Sequence, residues 1–473
     1  MGNIRACKRR KLIESSLPRA EEGRATPLNI LYISQYFPPE ACAPAARVDS
    51  FTREWARAGA KVRVVTGFPN HPEGILHPEY RRLWRHGFAR EKRDGVKVYR
   101  TWLYPSANQG LWGRGANYAS FGVSAAVAGS CVAPRTGVVI ATSPQILVGL
   151  SGWVVGAVRF LPLVFEVRDL WPESLVGVGQ TTASSLLYRS VGHVANFLYR
   201  RATHIVVDGE WKRRHLIQQG LEERRISVMR NGVEEDYCPD PYSDNAQRAR
   251  HALRDELGLR NEFVLLYAGT LGMAHGLETV LLAAERLHDR REVILLVVGE
   301  GAERQQLLAR SRELRLTNVH FLGKQPRERI PTYLLAADAC LVPLRRREVF
   351  KTAIPSKMFE AMAAARPVIL GVEGEAKQIL LDAEAGLAVP PDDSEALAQA
   401  ILRLREQPEL GRALGASGRR AVRVKYSRQQ QAKAYLELLA GLAKTAPRPV
   451  PERGQPPEPA SAGKPEMLTG REL

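Results

Sequence analysis

Residues 355–369 read PSKMFEAMAAARPVI, a pattern that predicts a short helix running directly into a buried strand. Pro355 suits the first turn of a helix, because the N–H that proline lacks would have no partner there. The helix is expected to end near Arg366 and Pro367, and the apolar residues that follow are typical of a strand inside a parallel sheet. A helix that feeds a buried strand is one unit of an α/β fold, so further units of this kind are expected along the chain.

The same alternation of strands and helices runs through most of the chain, in two sets. The first set begins with the apolar run 29–34, and the second begins with 263–268, after a turn at Asn231 and Gly232 and a polar linker. Continuous Val, Ile and Leu runs separated by helices favour parallel sheets covered on both faces. The predicted organisation is a disordered leader at 1–26, an N-terminal Rossmann-like domain at 27–229, a linker at 230–245, a C-terminal Rossmann-like domain at 246–425, a helix at 426–445 and a disordered tail at 446–473.

Two such domains that face each other form a cleft, and open α/β sheets bind ligands at the C-terminal ends of their strands. The helix that begins near Ser356 has free N–H groups at its start, and such groups can hold a diphosphate. Glu360 lies one turn further along, where its carboxylate can accept hydrogen bonds from two ribose hydroxyls. Lys357 lies three residues before Glu360, on the same face of the helix. We therefore predict that Lys357 and Glu360 hold a nucleotide together.

This segment resembles the donor-site helix of the family 4 retaining glycosyltransferases, in which an E-x7-E motif is followed by A-x-G-x-P-V. Glu360 matches the second glutamate, which in that family binds ribose, and the first glutamate falls at Thr352. The resemblance also assigns Ser356, Lys357 and Met358 to the donor site. It implies the GT-B fold, which consists of two Rossmann-like domains facing a central cleft.

Other motifs resemble one subgroup of that family, the L-fucosamine transferases of O-antigen and capsule assembly. The matching pieces are QYFPPE at 35–40, GFPNHP at 67–72, VRDLWPES at 167–174, NGV at 231–233 and YAGTLG at 267–272. The resemblance covers most of residues 27–425. Together these motifs are specific for the fold and for this type of transferase, but they give little indication of which sugar is transferred.

Two loops of the C-terminal domain are assigned to the donor by the same resemblance. Many family 4 enzymes neutralise the donor diphosphate with an Arg and a Lys in the loop that here reads GTLGMAHG, at 269–276. Thr270 falls near the arginine position and His275 near the lysine position, and His275 serves either in catalysis or only in packing the loop. The resulting candidates are His275 for catalysis and Gly269, Gly272, Gly323 and Lys324 for donor binding.

Charged residues also follow directly after the apolar run 163–167 of the N-terminal domain. Side chains just past the end of a parallel strand lie at the mouth of the cleft. Arg168 is therefore a candidate for contact with phosphate or acceptor, and Asp169 is a candidate for action on the acceptor hydroxyl. The alternative is a loop ion network that supports Trp171.

The chain carries 68 Lys and Arg residues against 50 Asp and Glu residues, which gives a net charge of +18. This excess predicts either an anionic partner such as phosphate or acidic lipid, or a merely solvated basic surface. The positive charge is spread along the chain without a nucleic-acid-binding motif, so no nucleic-acid partner is expected. Two uncharged stretches, 115–134 and 136–158, predict small-residue helices and a strand rather than membrane spans, which need about 20 strongly apolar residues. We expect peripheral membrane contact through this half of the chain.

The five cysteines are far apart and form no C-x-x-C pair, which argues against a disulfide framework or a zinc site and fits a reducing cytoplasm. No Asp-x-Asp motif stands at a strand end. Asp392 and Asp393 follow two prolines and are expected to cap the next helix. We therefore expect neither a metal ion nor another cofactor.

The leading hypothesis is a retaining hexosyl- or N-acetylhexosaminyltransferase at the inner face of the plasma membrane. Its expected partners are a UDP-sugar donor and a lipid-linked saccharide acceptor. In the family the leaving diphosphate can take the acceptor proton, which would explain why no general base stands out. Two alternatives stay open, a nucleotide-sugar 2-epimerase of the same fold and an inactive scaffold that binds membrane or another transferase. The missing first glutamate and the missing Arg/Lys pair are the features that keep the scaffold open.

Overall fold

The structure is a computed structural model that describes residues 27–445 except 41, 72, 107–110, 178–181 and 183. The predicted leader at 1–26 and the predicted tail at 446–473 lie outside the described residues.

The N-terminal domain is built on an eight-stranded sheet. Its strands are β1 Asn29–Ile33, β2 Lys61–Gly67, β3 Phe88–Arg93, β4 Val96–Thr101, β5 Val138–Thr142, β6 Leu163–Val167, β7 His204–Val207 and β8 Ile226–Val228. They lie in the order β3-β4-β2-β1-β5-β6-β7-β8, and only β3 pairs in the antiparallel sense, with β4. Strands β5, β6 and β7 are buried along their whole length, as expected of parallel strands covered by helices on both faces.

The C-terminal domain is built on a six-stranded, fully parallel sheet. Its strands are β9 Phe263–Ala268, β10 Val293–Val298, β11 Val319–Gly323, β12 Ala339–Pro343, β13 Val368–Gly371 and β14 Gly386–Ala388. Their order, β11-β10-β9-β12-β13-β14, reverses direction between β9 and β12. This is the Rossmann arrangement, in which ligands bind beside the reversal, at the carboxyl ends of the strands.

Helices cover both sheets. Those of the N-terminal domain are α1 Ala43–Arg57, α2 Arg81–Arg85, α3 Leu111–Val132, α4 Leu147–Arg159, α5 Glu173–Gly177, α6 Leu186–Arg201 and α7 Glu210–Gln218. The remainder are α8 Asp244–Glu256, α9 Leu277–Arg286, α10 Arg304–Glu313, α11 Ile330–Ala336, α12 Ser356–Ala363, α13 Glu375–Asp382, α14 Ser394–Glu406, α15 Pro408–Lys425 and α16 Arg428–Thr445. The predicted cap is present before α14, where Asp393 accepts a hydrogen bond from the backbone N–H of Ala396.

The uncharged stretches at 115–134 and 136–158 form α3, β5 and α4, as predicted. Their small residues allow close packing of the two helices: a Cβ atom at Gly129 would lie only 2.8 Å from a methyl group of Val155. Within the described part of the chain, no helix combines the length and the apolar character that crossing a membrane requires.

The last helix, α16, returns to the N-terminal domain. The indole N–H of Trp55 in α1 donates to the carbonyl oxygen of Ala432 at 2.9 Å, and the ring of Tyr435 packs edge-on against Trp55 at 5.3 Å. Tyr435 and Leu439 are fully buried in the core on this side of the first sheet. The chain therefore crosses between the two domains twice, and the N-terminal domain is completed by residues from the C-terminal end.

Candidate active site

Helix α12 begins at the carboxyl edge of the second sheet and presents Lys357 to the loop that follows β9. The Lys357 ammonium donates to the hydroxyl of Tyr267 at 3.0 Å and lies 4.2 Å from the centre of the Tyr267 ring. Tyr267 in turn donates to the carbonyl oxygen of Thr270 at 2.5 Å. These contacts join the predicted donor helix to the predicted donor loop.

The positive charge of Lys357 has no carboxylate within 4 Å among the described residues. Burial lowers the pKa of Lys357 to about 8, and the negative charge of Glu360 partly opposes that shift. An ammonium group held in this way is stabilised by any anion that enters the site. A diphosphate beside α12 would supply such a charge.

Glu360 is half-buried and makes no hydrogen bond or ion pair with another described residue. Its charge reaches two groups at the junction of the domains. It adds to the burial that raises the pKa of Tyr237, and it opposes the burial that lowers the pKa of Arg428 to about 10. The carboxylate is therefore available to accept hydrogen bonds from a ligand, as predicted for ribose hydroxyls.

His275 lies beside Lys357 but is uncharged at neutral pH. Burial lowers the pKa of His275 to about 3, and the charge of Lys357 lowers it further. The ring packs edge-on against Tyr267 with 6.2 Å between the centroids, and Nδ1 lies 3.2 Å from the carbonyl oxygen of Gly272. His275 cannot supply the positive charge of the lysine whose position it takes, so a catalytic role for it stays a prediction, as a neutral group.

The other predicted donor residues of α12 differ in their accessibility. Ser356 is the first residue of the helix and is half-buried at its N-terminal end. Met358 has no exposed surface and packs in the core of the C-terminal domain, so its side chain does not face the cleft. Adjacent residues of a helix lie on different faces, so Met358 faces the core whereas Lys357 faces the loop that follows β9.

The predicted donor loop at Gly269 rests on a turn that was not predicted from the sequence. The N–H of Gly269 donates to the carbonyl oxygen of Val298 at 2.9 Å. Gly299 has a φ of 150°, and a Cβ atom there would lie 1.8 Å from the carbonyl oxygen of Gly269. Only glycine allows this approach, and the sequence signal for it is GEG at 299–301, directly after an apolar strand.

Gly323 and Lys324 lie at the end of the neighbouring strand β11. The carbonyl oxygen of Gly323 accepts from the N–H of Gly299 at 2.9 Å, which ties this loop to the same cluster. Lys324 is exposed, and its charge adds to the burial that lowers the pKa of His71 in the N-terminal domain. Lys324 thus lies across the cleft from His71, whose ring packs against Tyr36 at 4.9 Å.

Arg168 and Asp169 follow β6 on the opposite side of the cleft. The Oγ atom of Ser143 accepts hydrogen bonds from the backbone N–H groups of both residues, at 2.8 and 3.4 Å. The Nε atom of Arg168 is buried without a hydrogen-bond partner among the described residues. Burial raises the pKa of Asp169, while the charges of Lys212 and Arg168 oppose that shift. Both residues directly follow β6, at the carboxyl end of a strand of the first sheet, and their place in a ligand site and their chemical roles stay predictions.

A buried ionic network below the cleft was not expected from the sequence. Two nitrogens of Arg47 donate to one carboxylate oxygen of Glu166, at 2.8 and 3.0 Å, and the hydroxyl of Tyr32 donates to the other oxygen at 2.5 Å. Because of Arg47 and Tyr32, the pKa of Glu166 lies below its usual value despite full burial. Arg47 also donates to the side chain of Asn231 at 3.1 Å, which extends the network to the chain segment that connects the domains.

The network continues through Asp208, which directly follows β7. Lys212 and Asp208 form a buried ion pair at 2.5 Å. The amide of Asn231 donates to Asp208 and to the carbonyl oxygen of Ile354, both at 3.4 Å. Ile354 precedes α12 by two residues, so the segment that connects the domains contacts the segment that leads into α12. The sequence signal for Asp208 is a polar residue directly after a buried strand, which is the same kind of signal that identified Arg168.

Comparison with known proteins agrees with this architecture along most of its length. Residues 43–232 match a glycosyl transferase 4-like domain, and residues 249–421 match the glycosyl transferases of group 1. The two matches meet at the segment that joins the two sheets. The chain therefore combines a glycosyl transferase 4-like domain with a group 1 glycosyl transferase domain.

Relatives of this glycosyl transferase family cover the chain to different extents. WcaI of Escherichia coli strain K12, assigned as a colanic acid biosynthesis glycosyl transferase, is 25% identical over 364 residues, which are 74% of this chain and 85% of WcaI. The probable glycosyltransferase WbjE of Pseudomonas aeruginosa is 26% identical over 241 residues, which are 50% of this chain and 58% of WbjE.

Solved glycosyltransferase structures share the two-domain fold. HepE of Anabaena, solved in complex with UDP and glucose, has a TM-score of 0.65 at 16% identity and covers 87% of this chain and 99% of its own. WaaG, a glycosyltransferase involved in lipopolysaccharide biosynthesis, has a TM-score of 0.65 at 16% identity, with 87% of this chain and 100% of WaaG covered. The fold is GT-B, which confirms the prediction from sequence. The resemblance to the L-fucosamine subgroup stays a prediction.

Proposed function

We propose that this protein transfers a sugar with retention from a UDP-sugar donor to a lipid-linked saccharide in the assembly of a bacterial surface polysaccharide. The transferred sugar is a hexose or an N-acetylated amino sugar. The observation that carries the proposal is the pair on α12: Lys357 offers an ammonium group bound only to the neutral Tyr267, and Glu360 offers a carboxylate without a partner among the described residues, three residues apart at the carboxyl edge of a Rossmann sheet.

These two groups match the two ends of a nucleoside diphosphate. The ammonium and the N–H groups at the start of α12 can hold the diphosphate, and the carboxylate can hold the ribose. HepE, which shares this fold, was solved with UDP and glucose, and this supports UDP as the nucleotide. WcaI and WaaG are connected with colanic acid and with lipopolysaccharide, and this supports a saccharide acceptor.

Retention is proposed from the resemblance to the family 4 enzymes. The acceptor hydroxyl attacks the anomeric carbon on the face from which the diphosphate leaves, and a diphosphate oxygen takes its proton. Arg168 and Lys324 lie on the two sides of the cleft and would stabilise the negative charge that develops on the leaving diphosphate. Thr352 has no charge to contribute, and its hydroxyl donates to the carbonyl oxygen of Val349.

The experiment is a thermal-shift screen of nucleotide sugars, followed by a transfer assay with the stabilising donor. Ligand at 100 times its dissociation constant stabilises a protein by about 2.7 kcal/mol, so a true donor is easily distinguished from a poor one. NMR spectroscopy of the product then determines the anomeric configuration of the new bond, which shows whether transfer occurs with retention. A screen in which no UDP-sugar, and no other nucleotide sugar, shifts the melting temperature would contradict the proposal.

The same assay separates the alternatives left open by the sequence. A 2-epimerase converts or hydrolyses the donor without an acceptor, whereas a transferase requires the acceptor for turnover. An inactive scaffold binds membrane and leaves the donor unchanged under all conditions.

Peripheral contact with the inner face of the plasma membrane is part of the proposal. Helix α3 presents an apolar stripe to solvent, in which Trp112, Val123 and Val127 are 93%, 69% and 63% exposed. Its 22 residues include a single charged side chain, Arg114. An apolar stripe of this kind can insert into the interfacial region of a bilayer without spanning it.

A basic segment adjoins this stripe. Trp84 in α2 stacks on Trp102 with 6.2 Å between the centroids, and the carbonyl oxygen of Trp102 accepts from Ser124 in α3 at 2.5 Å. The exposed arginines of α2 therefore lie beside α3; they are Arg81, Arg82 and Arg85. Each basic residue near an anionic lipid surface contributes about 1 kcal/mol of attraction.

Sedimentation with anionic liposomes tests this surface. We expect binding at low salt and release at high salt for the parent protein, and loss of binding for the double variant Val123→Asp, Val127→Asp. Val424→Asp is the matched control, because Val424 is a 67% exposed valine on α15 of the other domain. Equal binding of the double variant and the control would place the membrane contact elsewhere, and no binding of the parent at any salt concentration would remove it from the proposal.

A further inference from the structure

A carboxylate of the C-terminal domain caps a helix of the N-terminal domain. The two oxygens of Glu375 accept hydrogen bonds from the backbone N–H groups of Glu210 and Trp211, at 2.7 and 2.8 Å. These are the first two residues of α7, whose own cap residue, Gly209, has no side chain to serve them. The first N–H groups of a helix have no partner within the helix, so Glu375 satisfies two of them from the other domain.

The carboxylate lies between two helix N-termini. Glu375 is 5% exposed and is itself the first residue of α13, so its charge faces the N-terminal ends of both α13 and α7. A negative charge at this end of a helix is stabilised by the aligned peptide dipoles. The contact is a charge-assisted one, and it exists only while the two domains are together.

The fit around Gly209 is close. A Cβ atom added to Gly209 would lie 2.5 Å from a carboxylate oxygen of Glu375 and 2.8 Å from the Cδ1 atom of Ile354. The backbone of Gly209 is extended, with a φ of −155°, so the N-terminal domain alone does not require glycine there. The requirement comes from the opposite domain.

Ile354 connects this contact to the donor helix. Its side chain faces Gly209, its carbonyl oxygen accepts from Asn231, and α12 begins two residues later at Ser356. The turn between β7 and α7 therefore sits between Glu375 and the segment that leads into α12. Movement of the domains away from each other would release both at once.

We propose that the β7–α7 turn and Glu375 form a closure latch, in which capping of α7 by Glu375 holds the cleft closed and sets α12 against the N-terminal domain. Glu375 is then a positioning residue, which acts on the donor through α12 without touching it. The kinetic part of the test rests on the proposed transfer reaction, whereas the shape of the molecule in solution does not.

Two substitutions disturb the latch by different means. Glu375→Gln keeps the size of the side chain but loses the charge and turns an NH2 group towards one of the two N–H donors. Gly209→Ala adds a single methyl group that fits the N-terminal domain and collides with Glu375 and Ile354 only in the closed arrangement. Glu373→Gln and Gly441→Ala are matched controls, because Glu373 is 41% exposed and lies two residues from Glu375, and a Cβ atom at Gly441 would meet nothing within 4 Å.

Small-angle X-ray scattering and donor kinetics provide the readouts. For both latch variants we expect a larger radius of gyration than for the parent and the controls, and a donor KM raised by about tenfold, the effect of losing one charge-assisted hydrogen bond. Melting temperatures of Gly209→Ala and the parent should agree, since the methyl group disturbs neither domain by itself.

The latch would be overturned if both variants gave the same scattering curve and the same donor KM as the parent. If Glu375→Gln fails to fold, Gly209→Ala alone decides between the two results. If the parent transfers no sugar from any donor, the proposed function fails, while the comparison of scattering curves still supports or overturns the latch.

Discussion

The ammonium of Lys357, which has no carboxylate partner among the described residues, predicts a particular dependence of donor binding on pH. In the free protein burial lowers the pKa of this group to about 8, from the usual 10.5. A bound diphosphate places negative charge beside it and raises the pKa again, so binding of the donor is linked to protonation of Lys357. The donor should therefore bind best below pH 8, where the free protein already carries the charge, and should bind more weakly as the pH rises through 8.

The size of the effect follows from the protonated fraction of the free protein. With a pKa of about 8, roughly nine tenths of the molecules carry the charge at pH 7 and roughly one tenth at pH 9. The dissociation constant of the donor should therefore rise by about tenfold between these two pH values, provided that the bound form stays protonated throughout.

Isothermal titration calorimetry of a UDP-sugar at pH 7, 8 and 9 measures this constant directly. Lys357→Met should bind the donor about 10- to 100-fold more weakly than the parent at pH 7, because one charged hydrogen bond is lost. Since this variant has no amine to titrate, its Kd should stay constant from pH 7 to 9. Lys357→Arg keeps its charge at all three pH values and should lose the weakening above pH 8. The reasoning is refuted if the Kd of the parent stays constant from pH 7 to 9, or if Lys357→Met keeps the slope of the parent.

Two further predictions concern the same reaction. Glu360→Gln should raise the donor KM or lower kcat by about tenfold or more at an unchanged melting temperature, because the carboxylate makes no bond that stabilises the free protein; steady-state kinetics with a parent-like KM and kcat would remove ribose binding from this residue. Transfer should continue in EDTA, as expected from the missing Asp-x-Asp motif; loss of activity in EDTA that is restored by Mn²⁺ or Mg²⁺ would show that the reaction needs a metal ion.

The two Rossmann domains and helix α12 could be predicted from the sequence alone because their signals are local. The fully buried run of β6 and the strand β9 begin and end where the apolar residues do, at 163–167 and 263–268. Helix α12 begins at Ser356, directly after Pro355, and Asp393 caps α14 as predicted. Helical hydrogen bonds join residues four positions apart, and buried parallel strands need continuous apolar runs, so a short stretch of sequence contains the whole signal.

Strands β3 and β4 lacked such a signal. Strand β3 reads FAREKR and is mostly exposed at the edge of the sheet, where charged side chains remain in water and discourage pairing with other chains. A run of this kind resembles a surface loop. Only its antiparallel pairing with β4, from Phe88 opposite Thr101 to Arg93 opposite Val96, shows that it is a strand.

The tertiary structure alone decided which distant residues meet. Arg47 and Glu166 pair across 119 positions, Tyr435 returns to Trp55 from the far end of the chain, and Glu375 caps a helix 165 positions before it. Each side chain, considered by itself, is compatible with an exposed position, and the residues next to it in sequence do not indicate which distant residue it contacts. Such pairs form because folding buries these groups, and a buried charge or N–H group requires a partner that only the folded chain can bring to it.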